Sequence, residues 1–123
     1  MDSGLGDDFF YRVAFASSDG YVVDTHFGRA ETLYIYQFFD GEYSLVEKRY
    51  VSSVCQGGTH SPNEMRKNVE HFLDCQYIVA LRIGVGAMAI IRECGITPMV
   101  LPGELTEAMD KIYKYHQIQK LFK

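Results

Sequence analysis

Gln76-Tyr77-Ile78-Val79-Ala80-Leu81-Arg82-Ile83 is a nearly continuous apolar run. A run of this kind marks a strand covered on both faces, and such strands belong to sheets with helices packed on either side. On its C-terminal side Gly84-Val85-Gly86 leads directly into a predicted helix, Ala87 to Cys94, which Gly95 stops because glycine takes the left-handed cap conformation at little steric cost. On its N-terminal side Ser61-Pro62-Asn63-Glu64 is a capping box with proline at the first helical position. Ser61 accepts from a spare backbone N–H and Glu64 reaches back. That helix is predicted to run to about Leu73, with Met65, Val69, Phe72 and Leu73 as one apolar stripe. Further on, Pro98 to Leu101 reads as a short strand. A last helix from about Leu105 is expected to bury Met109, Ile112, Tyr113 and His116.

The first half of the chain has a different rhythm. Tyr11 to Ser17 reads as a strand, and Ser17-Ser18-Asp19-Gly20 as a turn by composition. From Thr32 to Phe39, Leu33, Ile35, Gln37 and Phe39 alternate with Tyr34, Tyr36 and Phe38, the aromatic-rich period of two that marks a strand. Asp40-Gly41 is a two-residue hairpin signal. Glu42 to Ser52 then returns as a third strand. Simple alternation puts Tyr43, Leu45, Glu47 and Arg49 on one of its faces and Ser44, Val46, Lys48 and Tyr50 on the other. Neither face is purely apolar, so this strand is expected at an edge. The order is therefore β-β-β-α-β-α-β-α. The later strands enter through crossovers that should be right-handed. The expected fold class is α/β, one domain with a five-stranded mixed sheet of order 3-2-1-4-5, strand 2 antiparallel, and flanking helices: a ribonuclease-H-like topology.

A chain of 123 residues is one domain, long enough to bury a core. We expect residues 1–10 to be a disordered lead-in and 11–123 to be the folded domain. Hydrophobic content of 47% with 23% charged residues is ordinary for a soluble protein. The net charge of -4 argues against nucleic acid as a partner, because neutralising phosphates needs a basic face. No apolar run approaches the roughly 18 residues that span a bilayer, so no membrane association is expected. The acidic, Gly-containing start, Met1 to Asp8, reads as neither a signal nor a transit peptide. Three widely spaced cysteines, Cys55, Cys75 and Cys94, give no disulfide framework and suit a reducing cytoplasm.

Between the first two strands lies Val22-Val23-Asp24-Thr25-His26-Phe27-Gly28-Arg29-Ala30. It holds a His, a Gly and an Arg within four residues of a loop, and loops anchored by strands are where binding groups concentrate. In the expected topology Ser17–Asp19, His26–Arg29, Cys55–His60 and Gly84–Gly86 meet at one rim, beside the switch point between strands 1 and 4 where open α/β sheets bind ligands. Cys55 supplies a thiolate, and His26 and His60 supply imidazole nitrogens. Arg29 and the N–H groups at two helix starts, near Pro62 and Gly86, favour an anion. Each of these residues also has a plainer use. His26 could cap backbone groups in its loop, Cys55 could be a buried thiol, and His60 and Arg29 could be solvated. Gly84 and Gly86 could serve only a tight turn.

The order of four stretches carries a resemblance. The Asp19-Gly20 turn and the His26-Phe27-Gly28-Arg29-Ala30 loop are followed by Tyr50-Val51-Ser52-Ser53-Val54-Cys55-Gln56-Gly57-Gly58. Then come Asp74 to Gly84 and Cys94-Gly95-Ile96-Thr97-Pro98. Over roughly residues 11 to 118 the chain resembles the dinitrogenase iron–molybdenum cofactor biosynthesis family, which includes NifX-, NifY- and NafY-type carriers and the C-terminal domain of NifB. The resemblance implies a non-enzymatic module that transiently binds an iron–sulfur cluster or iron–molybdenum cofactor precursor. The cofactor-binding residues would be His26, Gly28, Arg29, Cys55, His60, Ser17, Gly84 and Gly86, with His26 and Cys55 as the metal ligands. Partners would be metallocluster assembly proteins or dinitrogenase apoprotein, and the protein itself a monomer or weak homodimer. The chain has no Cys-x₃-Cys-x₂-Cys signature, so it is not expected to build a cluster by itself, and no helical extension of the kind seen in some longer carriers is expected. Two other functions compete. One is a protein-binding adaptor that never holds metal. The other is a Mg²⁺-dependent nuclease-like enzyme, which needs several converging carboxylates; Val13 to Ser17 and Gln76 to Ile83 carry none.

Overall fold

A computed structural model describes residues 10–51 and 62–122. The run around Ile78 forms β5 (Tyr77–Ala80), and all four of its residues are buried. It is flanked by β1 (Phe10–Ala16) and β6 (Thr97–Val100), both parallel to it. Beyond β1 lie β3 (Thr32–Phe39) and β4 (Glu42–Tyr50), each antiparallel to its neighbour. The five strands thus run in the order β4-β3-β1-β5-β6. Three helices complete the domain: α1 (Pro62–Glu70), α2 (Val85–Glu93) and α3 (Leu105–Lys120).

Period-two alternation divides the core into two layers. Ala14, Ile35 and Ile78 face one way and pack with Met65, Val69 and Phe72 around α1 and with Ile90 and Ile91 of α2. Val13, Phe15, Phe38, Tyr77 and Val79 face the other way, onto Leu105, Met109 and Ile112 of α3. Helices therefore cover both faces, as the unbroken apolar character of β5 demands. The expected single α/β domain with a five-stranded mixed sheet is what the chain forms.

Local chemistry explains the joints. Asp40 and Gly41 both have positive φ, 54° and 81°, which gives the turn a twist matching the strands it joins. Gly95 closes α2 at φ 82°, as its position in the sequence predicts.

Three details depart from expectation. First, α1 ends at Glu70 rather than Leu73. The following turns close through His71 N–H to Asn68 and Phe72 N–H to Val69, a tightening common at helix ends. Phe72 stays in the core, whereas Leu73 points outward with 58% of its surface exposed. Second, the register of β3 with β4 shifts between Ile35 and Tyr36, so Val46 is left without an opposite residue. This bulge reverses the alternation. Tyr43 and Leu45 lie opposite Phe38 and Tyr36, while Glu47 and Arg49 lie opposite Ile35 and Leu33. The four residues expected on one face of the edge strand are therefore split between two. Third, β2 (Val22–Val23) pairs antiparallel with β7 (Gly103–Glu104) in a separate small sheet. The Ser61 cap and the first residues, 1–9, lie outside the described residues.

Candidate functional site

The His26 loop is held by its backbone and by one side chain. The Leu81 N–H donates to the Thr25 carbonyl at 3.0 Å and the Phe27 N–H to the Arg82 carbonyl at 2.9 Å. His26 thereby forms a parallel bridge with Arg82 just beyond β5. A short 3₁₀ turn over Phe27–Arg29 follows, closed by Arg29 N–H to His26 O at 3.1 Å. Phe27 is fully buried and meets Phe72 edge-on at 6.2 Å. It is the plug that seats the loop. Gly28 and Ala30 are also buried, His26 is half-buried, and Arg29 is exposed. The arrangement turns an aromatic anchor inward and leaves imidazole and guanidinium at the surface.

The preceding turn is braced by hydrogen bonds of its own. Ser17 is buried, and its hydroxyl donates to Asp19 Oδ1 at 3.3 Å and accepts the Gly20 N–H at 2.9 Å. Its oxygen is engaged in shaping the turn rather than standing open to a ligand. Asp19 also accepts the N–H groups of Tyr21 and Val22, and the first of these holds its carboxyl below the usual carboxylate range. Asp24 accepts the Ser18 hydroxyl at 2.6 Å, the Ser18 N–H at 2.9 Å and the Thr25 hydroxyl at 2.8 Å. Its partial burial works against ionisation, but these donors outweigh it and its pKa is lowered. Both acids are thus ionised braces for the loop.

The chain leaving β5 runs through Arg82 to Gly84, which caps α2 with φ -63° and no side-chain hydrogen bond. A Cβ placed on Gly84 or Gly86 would meet no atom within 4 Å, and neither has positive φ. A tight turn therefore does not explain these glycines. Their effect is to leave the start of α2 bare, with its first N–H groups uncovered by side chains.

The His26–Arg29 turn and the Gly84–Gly86 helix start are thus joined through the chain leaving β5, and Ser17 lies two residues past Phe15, which pairs with Val79 of β5. Val51 donates its N–H to Glu31 at 3.0 Å, so the chain departs from β4 beside the same turn. Cys55 and His60 follow, and both lie outside the described residues. Among the described residues there is no group of three or more His, Cys, Asp or Glu able to hold a metal ion. Arg82, the one charged residue of an otherwise apolar run, is not among the residues expected at the site. Its exposed side chain adds a second cation beside His26.

The other cysteines and histidines among the described residues sit in different surroundings. Cys75 is buried, and burial pushes its thiol up to about 12; Cys94 is partly exposed. His71 is exposed on the turn after α1. His116 is buried in the other layer, where its Nδ1 lies 2.7 Å from the Tyr77 hydroxyl and its ring stacks on Tyr11 at 3.8 Å.

The chain is similar to known proteins. Residues 10–115 match the family model described as dinitrogenase iron-molybdenum cofactor. The FeMo cofactor biosynthesis protein NifB of Frankia alni is 30% identical over 102 residues, covering 80% of this chain and 19% of NifB. Protein NifX of Klebsiella pneumoniae is 27% identical over 106 residues, 86% of this chain and 66% of NifX. Protein NifY of the same organism is 34% identical over 97 residues, covering 77% and 40%. The chain thus spans about a fifth of the NifB relative, about two thirds of NifX and 40% of NifY. A solved Thermotoga structure, titled a putative NifB protein, superposes with TM-score 0.53 at 23% identity, covering 85% of this chain and 88% of that one. The structure of PH0822 superposes with TM-score 0.59 at 19% identity, covering 78% and 82%. The chain belongs to the dinitrogenase iron–molybdenum cofactor biosynthesis family.

Proposed function

We propose that this domain binds an iron–sulfur type cofactor or precursor, related to the iron–molybdenum cofactor, and passes it between assembly proteins rather than transforming it. The observation that carries the reading is the His26 turn. The backbone of half-buried His26 is pinned by the Phe27 plug and the Arg82 bridge, beside two exposed arginines and a bare helix start. An anionic cluster needs a soft or borderline ligand together with cations and N–H groups around it. In this reading His26 and Cys55 ligate the cargo, His60 assists, and Gly28 lets the turn close. Arg29, Arg82 and the N–H groups after Gly84 balance its charge. Two ligands hold less firmly than a four-cysteine site, which suits release. The names of the NifB, NifX and NifY relatives support a place in cofactor assembly. The strand order and pairing support a ribonuclease-H-like topology. The partners would be other assembly proteins or the apoprotein receiving the cofactor, in a reducing compartment that keeps Cys75 and Cys94 as thiols.

Anaerobic reconstitution with iron, sulfide and a reductant tests this. The wild-type chain should develop charge-transfer absorption, and His26→Ala and Cys55→Ala should each lose most of it while melting like the wild type. An uncoloured wild-type protein, or full colour in both variants, would overturn the reading.

A further inference from the structure

The net charge of -4 conceals an asymmetry. Lys111 to Lys123 carries four lysines and no acidic residue, so +4 sits in this stretch and -8 on the rest of the chain. The same stretch holds an unusual share of exposed apolar surface. α3 buries one face, Leu105, Ala108, Met109, Ile112 and His116, against the sheet. Beside that face Tyr115, Ile118 and Phe122 follow one another at i, i+3 and i+7, the spacing of a helical stripe. Turn bonds from Leu121 to Ile118 and from Phe122 to Gln119 extend the helical path past Lys120. Ile118 is 51% exposed, and Leu121 and Phe122 are each 80% exposed. By helical phase exposed Lys111 continues the line of the stripe one turn earlier, and exposed Lys114 lies to one side of it. Lys114 also meets Asp110 at 3.1 Å, an exposed pair that is easily exchanged for another carboxylate.

A second observation lies next to the stripe. Tyr115, set edge-on to Tyr77 at 6.0 Å, forms one wall of a notch of about 90 Å³. The other walls include Gln76, Thr97, Gln119 and Lys120, which offer hydrogen-bond donors and one ammonium group. An apolar stripe rimmed by lysines, with a donor-lined notch of side-chain size, matches a helix that carries apolar residues and protruding carboxylates. A flat lipid surface would use the stripe but leave the notch unfilled. We infer that the C-terminal half of α3 is a docking surface for an acidic amphipathic helix of a partner protein.

Its position gives the surface a use. α3 starts where Leu105 donates its N–H to Tyr21, beside the small β2–β7 sheet, and ends over Gln76 and Thr97, where β5 and β6 begin. The His26 turn lies at the other end of β5. A partner held at the end of α3 leaves that turn open. The inference does not depend on what the turn binds.

The test uses the whole chain and a labelled helical peptide of about 20 residues with a leucine stripe flanked by glutamates. A lysine-flanked counterpart and phosphatidylcholine–phosphatidylserine vesicles serve as the other arms. The glutamate peptide should bind saturably by fluorescence anisotropy, and more weakly as salt screens the lysines. Ile118→Ser with Phe122→Ser, and separately Lys120→Glu, should weaken it about tenfold or more, in line with loss of a central interface contact. These side chains are largely exposed, so the variants should melt like the wild type. The iron–sulfur absorption described above should also be unchanged in them, which separates failure of this surface from failure of the His26 reading. No saturable binding of the glutamate peptide, or equal binding of both peptides, overturns the inference. Sedimentation with anionic vesicles in place of peptide binding also overturns it, by assigning the stripe to lipid.

Discussion

Phe27 and His26 are adjacent but have opposite duties: the ring holds the turn and the imidazole is presented by it. Phe27→Ala should cost about 3–5 kcal/mol, the range for emptying a buried aromatic site, and calorimetry should show it as a large fall in melting temperature. His26→Ala should leave melting nearly unchanged while removing the reconstituted absorption. A different residue governs acid stability. Arg49 donates to Asp74 at 3.0 and 3.1 Å, to Glu47 and to the His71 carbonyl, tying β4 to the turn after α1. Its guanidinium, with Arg12, holds the Asp74 carboxyl at about 2, below the ordinary 3.8. A depressed carboxylate contributes fully above its unfolded value and loses that contribution as pH falls from about 3.8 towards 2. The pair is partly exposed, so the gain after screening is about 1 kcal/mol. Urea denaturation should show Asp74→Asn less stable than wild type near neutral pH, with the difference vanishing near pH 2. The thiols divide in the same way. Buried Cys75, its pKa raised to about 12, should resist iodoacetamide in the native state, while partly exposed Cys94 reacts before it; mass spectrometry reads the order of these two.

At the scale of elements, the β1–β3–β4 meander depends on two backbone devices of different legibility. The Asp40-Gly41 turn announces itself, because only a few residue types accept positive φ at both central positions. The Val46 bulge does not. Nothing in Tyr43 to Arg49 marks where alternation slips, since the slip is set by pairing with β3 and by Arg49 reaching Asp74. Gly20 shows how tightly the first turn is fitted to this meander. Its φ is +84°, and an added Cβ would lie 2.9 Å from Cε2 of Tyr34. Gly20→Ala should therefore cost about 1–3 kcal/mol from strain and overpacking. Thermal melts should show this, and Gly86→Ala, at an open helical position, should be neutral or slightly stabilising.

For the whole molecule, the sheet separates the His26 turn, beyond one end of β5, from the lysine-rich end of α3 over the other. Amide shifts of the His26 turn should therefore stay fixed when Ile118 and Phe122 are replaced, and a change there would show the ends to be coupled. The order of the five main strands and three helices, the helical cover on both faces and the hairpin turn were legible in the chain, because hydrophobic period and turn stereochemistry act over a few neighbouring residues. The His26-Phe27-Gly28-Arg29 loop was legible too, as an unusual mixture of groups between two strands. Only the folded molecule set Arg82 against His26, reversed the faces of β4 at Val46 and paired Val22–Val23 with Gly103–Glu104. It also left Gly84 and Gly86 in open space. Each of these depends on contact, or its absence, between segments far apart along the chain, for which a local sequence pattern carries no sign.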